Sequence, residues 1–231
     1  LKIGMITTWS GPAGYLGQDI RDGFQLAIDQ NKGDLGGKPV QLVVEDDGLK
    51  PGNAKQIADK MLNEQGIKLF TGVVFANVAF AAVPEILDGD AIYISANTAS
   101  STFAGKECNP NYFVSSWQDD SQGESAGALA QSLAYKKAFL IAPNYQAGKE
   151  TMVAFKRFYK GEIVGETYTG LDQTDFAAEM AQIRAAKPDV VYEFEPGGLG
   201  IAFMRQYQQA GLLKDIPMVV HPASLDQALA Q

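Results

Sequence analysis

His221 is the only histidine of the 231-residue sequence. Any imidazole acid–base or nucleophilic machinery must therefore use it. No G-x-S-x-G elbow, no P-loop and no cluster with metal-ligand spacing accompanies it. The expectation is no catalytic residue, no metal site and a non-enzymatic protein, with His221 lining a cleft or satisfied at a surface. A second candidate is the run from Thr8 to Gly17, with glycines at 11, 14 and 17. Glycines before a helix let a backbone approach a bound anion. The spacing is G-x-x-G-x-x-G, not the dinucleotide G-x-G-x-x-G, so no cofactor is expected. Asp46-Asp47 stands where such a cofactor's ribose would sit, and turn capping is the alternative role.

Two neutral polar segments suit a carboxylate better. They are Phe75-Ala76-Asn77-Val78 and the run Ser95-Ala96-Asn97-Thr98-Ala99-Ser100-Ser101-Thr102. Asn and Thr side chains with free helix-start N–H groups make an uncharged cradle, or else simply cap a helix. Further along, Tyr145 lies in a loop near Ala147, and Glu195-Pro196-Gly197-Gly198 forms another. A tyrosine there covers an apolar ligand body or serves as a structural plug. Cys108 is the sole cysteine, read as an unpaired loop thiol or as half of a disulfide to a cysteine outside this segment.

These residues need strand ends and helix starts to hold them, and the rest of the sequence supplies both. Apolar runs read as strands at 2–7, 39–45, 68–74, 91–95, 112–115, 137–142, 162–169, 189–195 and 217–221. Several lack alternation, the mark of strands covered on both faces. Helical stripes lie between them, over about 17–32, from Pro51 through Leu62, after Thr174-Asp175, and from Ile201 to Gly211. Alternating strands and helices imply parallel sheets with right-handed crossovers, a doubly wound α/β fold. A polar stretch at 116–123 separates two series, giving lobes 1–117 and 118–231. In open sheets of this kind ligands bind beyond the carboxyl ends of the strands, where every candidate above falls.

The formal net charge is −8, which argues against a nucleic-acid partner. The densest basic stretch, Lys156-Arg157 to Lys160, reads as a solvated helix face. No apolar run reaches the ~18 residues a membrane crossing needs.

The sequence resembles the type I periplasmic solute-binding proteins of ABC importers, specifically the branched-chain amino acid (Leu/Ile/Val-binding) family. The residues that carry this are Ile3-Gly4, Ser10-Gly11-Pro12, Gly17, Asp46-Asp47, Pro51, Ala54 and Gly66-Ile67. Ile94 to Ala99, Asp172 to Phe176, Pro188-Asp189 and Gln209-Ala210-Gly211-Leu212 continue it over essentially the whole chain. The resemblance implies two Rossmann-like lobes with a hinge that close on a ligand in an interlobe cleft, here with the second return to the first lobe missing. It implies a periplasmic mature chain whose signal peptide has been removed, a small organic acid ligand, delivery to the membrane permease of an ABC transporter, and a monomer.

The family's ligand contacts fall at Tyr15 or Leu16, at Ala76 with Asn77, at Asn97 and Ala99 beside Thr98, at Tyr145 or Ala147, and at Pro196. Its acid for an amino acid's ammonium falls at Ala223. An unpaired desolvated ammonium costs several kcal/mol, so the resemblance is closest to members that bind aromatic acids such as benzoate or hydroxycinnamate derivatives. Glu193 or Glu195 are the acids left to substitute. The alternatives are a branched-chain or other aliphatic amino acid, and a cytoplasmic effector-sensing domain of a regulator.

Overall fold

The computed structural model describes residues 1–11 and 13–225. Pro12, one of the residues carrying the resemblance, and 226–231, the end of the expected second lobe, lie outside the described residues. The chain forms two compact units, one from Leu1 to Gln118 and one that begins at Asp119.

In the first unit β1 (Lys2–Thr7) is flanked by β4 (Gln41–Asp46) on one side and β5 (Leu69–Thr71) on the other. The sheet order is β4-β1-β5-β6-β7, all parallel, with β6 at Ile92–Ser95 and β7 at Tyr112–Val114. Residues 3–7 of β1 are all buried, as a central strand covered on both faces requires. Gly4 is part of that fit, because a Cβ there would lie 2.9 Å from the Phe70 ring. The helices are α1 (Gly14–Gln30), α2 (Pro51–Asn63), α3 (Ala76–Asp88) and the short α4 (Ser101–Ala104). The chain direction across the sheet reverses between β1 and β5, which makes their carboxyl ends the switch point.

Two expectations shift here. The Gly36-Gly37 break is the turn of a small hairpin, β2 (Asp34–Leu35) with β3 (Lys38–Pro39), both glycines having positive φ. The strand expected over 68–74 stops at Thr71 because Gly72, at φ +104, turns the backbone against Met5 and Ile6. Cys108 is an exposed free thiol.

The second unit contains α5 (Asp119–Ser132), β8 (Lys137–Pro143), α6 (Gln146–Phe158), β9 (Glu162–Thr169), α7 (Ala177–Ala186), β10 (Val190–Glu193), α8 (Gly198–Gln209) and β11 (Met218–Val220). Its parallel sheet runs β11-β10-β8-β9, with the switch point between β8 and β10. One sheet face packs Phe139, Ile141 and Val191 against Phe176, Ile183 and Phe203. On the other, Tyr192 stacks on Phe155 at 4.7 Å and shares a 2.5 Å hydrogen bond with the Thr151 hydroxyl. Strand alternation thus sends residues 191 and 192 to opposite faces. The basic stretch on α6 is ion-paired: Lys156 with Glu166 at 2.7 Å, Arg157 with Asp120 at 2.6 Å and Glu124 at 2.9 Å.

Candidate functional site

In the first unit the loop after β1 is held by the end of β4. The Thr8 hydroxyl donates to Asp47 Oδ1 at 2.6 Å, and the Trp9 N–H to Asp46 Oδ1 at 3.1 Å. The same carboxylates accept the Gly48 and Leu49 N–H groups. Asp46-Asp47 is therefore the clamp of two turns. Gly14 and Gly17 let α1 start hard against this loop, since a Cβ at Gly17 would lie 2.1 Å from the Thr8 carbonyl oxygen. Tyr15 and Leu16, in the first turn of α1, are half-buried. One turn on, the Arg21 guanidinium lies 5.7 Å over the Trp9 ring.

The loops after β5 and β6 are tied to each other. Asn97 Nδ2 donates to the Val74 carbonyl at 2.8 Å, and Ser95 Oγ donates to the Thr98 carbonyl at 2.5 Å. The Ser116 hydroxyl donates to the Asn97 carbonyl at 2.9 Å. This brings Ala76, Asn77, Asn97, Thr98 and Ala99 into one edge beside the β1/β5 switch point. One Asn97 donor is thereby used by the fold itself. Helix α3 starts at Ala76 after Phe75, which supplies no side-chain cap. The Val78 and Ala79 N–H groups bond the Phe75 carbonyl, whereas those of Ala76 and Asn77 precede the first helical acceptor. Asn77 Oδ1 is buried and accepts no hydrogen bond. Thr98 and Ala99 are buried, and Ser100 caps α4 by accepting from the Thr102 N–H.

In the second unit the carboxyl ends of three adjacent strands carry a series of rings. Tyr145, the residue before α6, stacks on Phe194 at 6.2 Å, and Phe194 meets His221 at 4.3 Å. Burial pushes the Tyr145 hydroxyl well up, with Asp119, Glu195 and Glu150 adding to the effect. His221 Nδ1 accepts the Ala223 N–H at 3.1 Å, and burial pushes its pKa down to about 3. Ala147 is half-buried in the first turn of α6, and Pro196 is buried ahead of Gly197, whose φ of +67 turns the chain into α8.

Glu195 is fully buried. Its Oε1 accepts from the Thr169 hydroxyl at 2.8 Å, its N–H donates to Ser224 Oγ at 2.8 Å, and its Oε2 accepts no bond. Burial raises its pKa to about 8, opposed by the Thr169 bond and aided by Glu179. Glu193 is also fully buried and raised well above the carboxylate range, first by burial and then by Glu195; the Ser224 hydroxyl and the Glu195 N–H favour its ionised form without reaching good bonding geometry. Burial thus favours the protonated form of both acids. Sequence reasoning missed Phe194, Thr169 and Ser224. The signal for Phe194 was the alternation Tyr192-Glu193-Phe194-Glu195, which puts the two rings on one side and the two acids on the other.

Among the described residues no helix is long and apolar enough to cross a membrane, and no group of three or more His, Cys, Asp or Glu residues could hold a metal ion.

A family model described as "Periplasmic binding protein" matches residues 1–231. A Leu/Ile/Val-binding protein, BraC3 of Rhizobium johnstonii, is 28% identical over 83% of this chain and 53% of its own length. The Leu/Ile/Val-binding protein homolog 6 of Brucella melitensis is 24% identical over 98% of this chain and 59% of its own. The chain spans about three fifths of the length of the curated relatives it matches. Among solved structures, an ABC transporter solute-binding protein from R. palustris in complex with benzoate is 29% identical, with a TM-score of 0.95 over 100% of this chain and 64% of that one. Another, from Rhodopseudomonas palustris BisB5 in complex with 3,4-dihydroxybenzoic acid, is 25% identical with a TM-score of 0.90, over 97% and 62%.

Proposed function

We propose that this chain, which belongs to the periplasmic binding protein family, is part of an extracytoplasmic solute-binding protein that captures a small aromatic carboxylate, a benzoate or hydroxycinnamate derivative. It delivers that ligand unchanged to the membrane permease of an ABC importer, as a periplasmic monomer without cofactor or nucleic-acid partner. The observation that carries the reading is the ring series Tyr145–Phe194–His221 at the strand ends of the second unit. A flat apolar body stacks on such rings with a gain beyond its buried area. Within the first unit, the uncapped start of α3 at Ala76 and Asn77, tied to Asn97 through Val74, suits a carboxylate. Ala223 has no carboxyl, and burial favours the protonated form of Glu193 and Glu195, so neither is a ready partner for an α-ammonium. The benzoate and dihydroxybenzoate complexes of similar proteins support the same ligand class.

The second reading, a branched-chain amino acid, is favoured by the names of the curated relatives. A thermal-shift screen of the full-length protein separates the two. At a hundred times its dissociation constant a ligand stabilises the fold by about 2.7 kcal/mol. Benzoate, 4-hydroxybenzoate and coumarate are expected to raise the melting temperature, and leucine, isoleucine, valine and phenylalanine to leave it unchanged. A shift with leucine and none with the aromatic acids would overturn the substrate class.

A further inference from the structure

The ring of His221 is held on two sides. Phe194 lies against it, and Nδ1 accepts the Ala223 N–H at 3.1 Å. An accepting Nδ1 carries no proton, so the single proton of the neutral ring sits on Nε2. No described residue accepts a hydrogen bond from that Nε2–H. This Nε2 is not among the buried polar atoms left without a partner, so a donor fixed by its surroundings, at a strand end beside a ring stack, is open to an acceptor from outside the chain.

The charges nearby do not change the ring's state. The His221 N–H donates to the Glu193 carbonyl on β10 at 2.8 Å, and burial favours the protonated, uncharged form of the Glu193 and Glu195 carboxyls. Burial is the one cause of the ring's lowered basicity.

We infer that His221 is a fixed hydrogen-bond donor to the bound molecule, its Nε2–H meeting a ligand oxygen while Nδ1 stays engaged with Ala223. This selects for an oxygen acceptor, a carboxylate or a phenolic or ether oxygen on the ring, and against an ammonium, which would set donor against donor. The inference rests on the aromatic-acid reading only for the choice of probes.

Long-range 1H–15N spectra of the full-length protein read the imidazole directly, with its signals assigned by their loss in His221→Asn. The Nε2–H tautomer is expected at both about pH 5.5 and about pH 7.5, spanning the ordinary histidine range, and its resonance should move on saturation with benzoate or 4-hydroxybenzoate. In calorimetry His221→Asn keeps an acceptor for the Ala223 N–H but has nothing at the ε position, and should bind at least about fivefold more weakly. His221→Gln places an amide N–H at that position and should recover part of the loss. Equal weakening for both acids assigns the acceptor to the carboxylate, and weakening for 4-hydroxybenzoate alone assigns it to the ring oxygen. An Nδ1–H tautomer, an ordinary titration near the free-histidine value, or full affinity for both acids in His221→Asn overturns the inference. If leucine binds and the aromatic acids do not, the substrate class falls while the inference is decided on leucine, by the same resonance and the same two variants.

Discussion

Replacing Glu195 with Gln should flatten the dependence of stability on pH. Burial moves the Glu195 carboxyl from 4.5 to about 8, so the folded chain holds a proton that the unfolded chain releases above about 4.5. Unfolding then releases that proton, and raising the pH favours the unfolded state. The stability tied to this group is complete below about 4.5 and is lost as the pH rises to about 8. Its span is at most about 5 kcal/mol, from ~1.4 kcal/mol per pKa unit. Gln is neutral in both states and can keep the Thr169 hydroxyl bond that Glu195 Oε1 accepts. Glu193 is coupled to Glu195, so the Glu195→Gln comparison is made in the wild-type and in the Glu193→Gln background, and the effect common to both is that of Glu195. Urea unfolding at about pH 5 and about pH 8 should show the variant gaining on the wild type by roughly 3–4 kcal/mol between the two. Parallel pH curves for the two proteins would show that Glu195 ionises like an exposed glutamate and would refute the neutral-acid argument.

Gly17→Ala pushes a methyl group to 2.1 Å from the Thr8 carbonyl oxygen and should cost about 1–3 kcal/mol or more, read as a lower melting temperature. Asn97→Asp replaces the donor to the Val74 carbonyl with an acceptor, and a loss of about 1–3 kcal/mol in unfolding free energy is expected. The same variant should bind an aromatic carboxylate about tenfold more weakly in calorimetry, about 1.4 kcal/mol; unchanged affinity would put the acid elsewhere.

The strands were legible because most carry apolar runs that only a doubly covered sheet explains, and β1 and β9 have the bounds the runs suggested. Helix α3 was not legible as a helix. Its residues Ala76 to Asp88 are apolar nearly all round and include Pro84, so no polar stripe sets a 3.6-residue period. The hairpin at Gly36-Gly37 escaped because two-residue strands leave no alternation to read. Asn97 and Tyr145 could be picked out by type and by their place after apolar runs. Phe194 was passed over inside the run read as a strand, although its alternation with Glu193 and Glu195 was there to read. The state of Glu195 depends on Thr169, Glu179 and Ser224, which β9, α7 and the turn after β11 supply. Only tertiary packing assembles that set.

Trp9, with Arg21 over its ring, and the exposed Trp117 are the two tryptophans of this sequence, and both belong to the first unit. The rings of the second unit are Tyr, Phe and His. Emission excited at the red edge of the tryptophan band therefore follows the first unit alone, while near-ultraviolet dichroism also sees the packed Tyr145, Tyr192 and Phe194. A denaturation followed by both signals would report from this stretch of chain whether the two units melt in one step or in two, with no label attached.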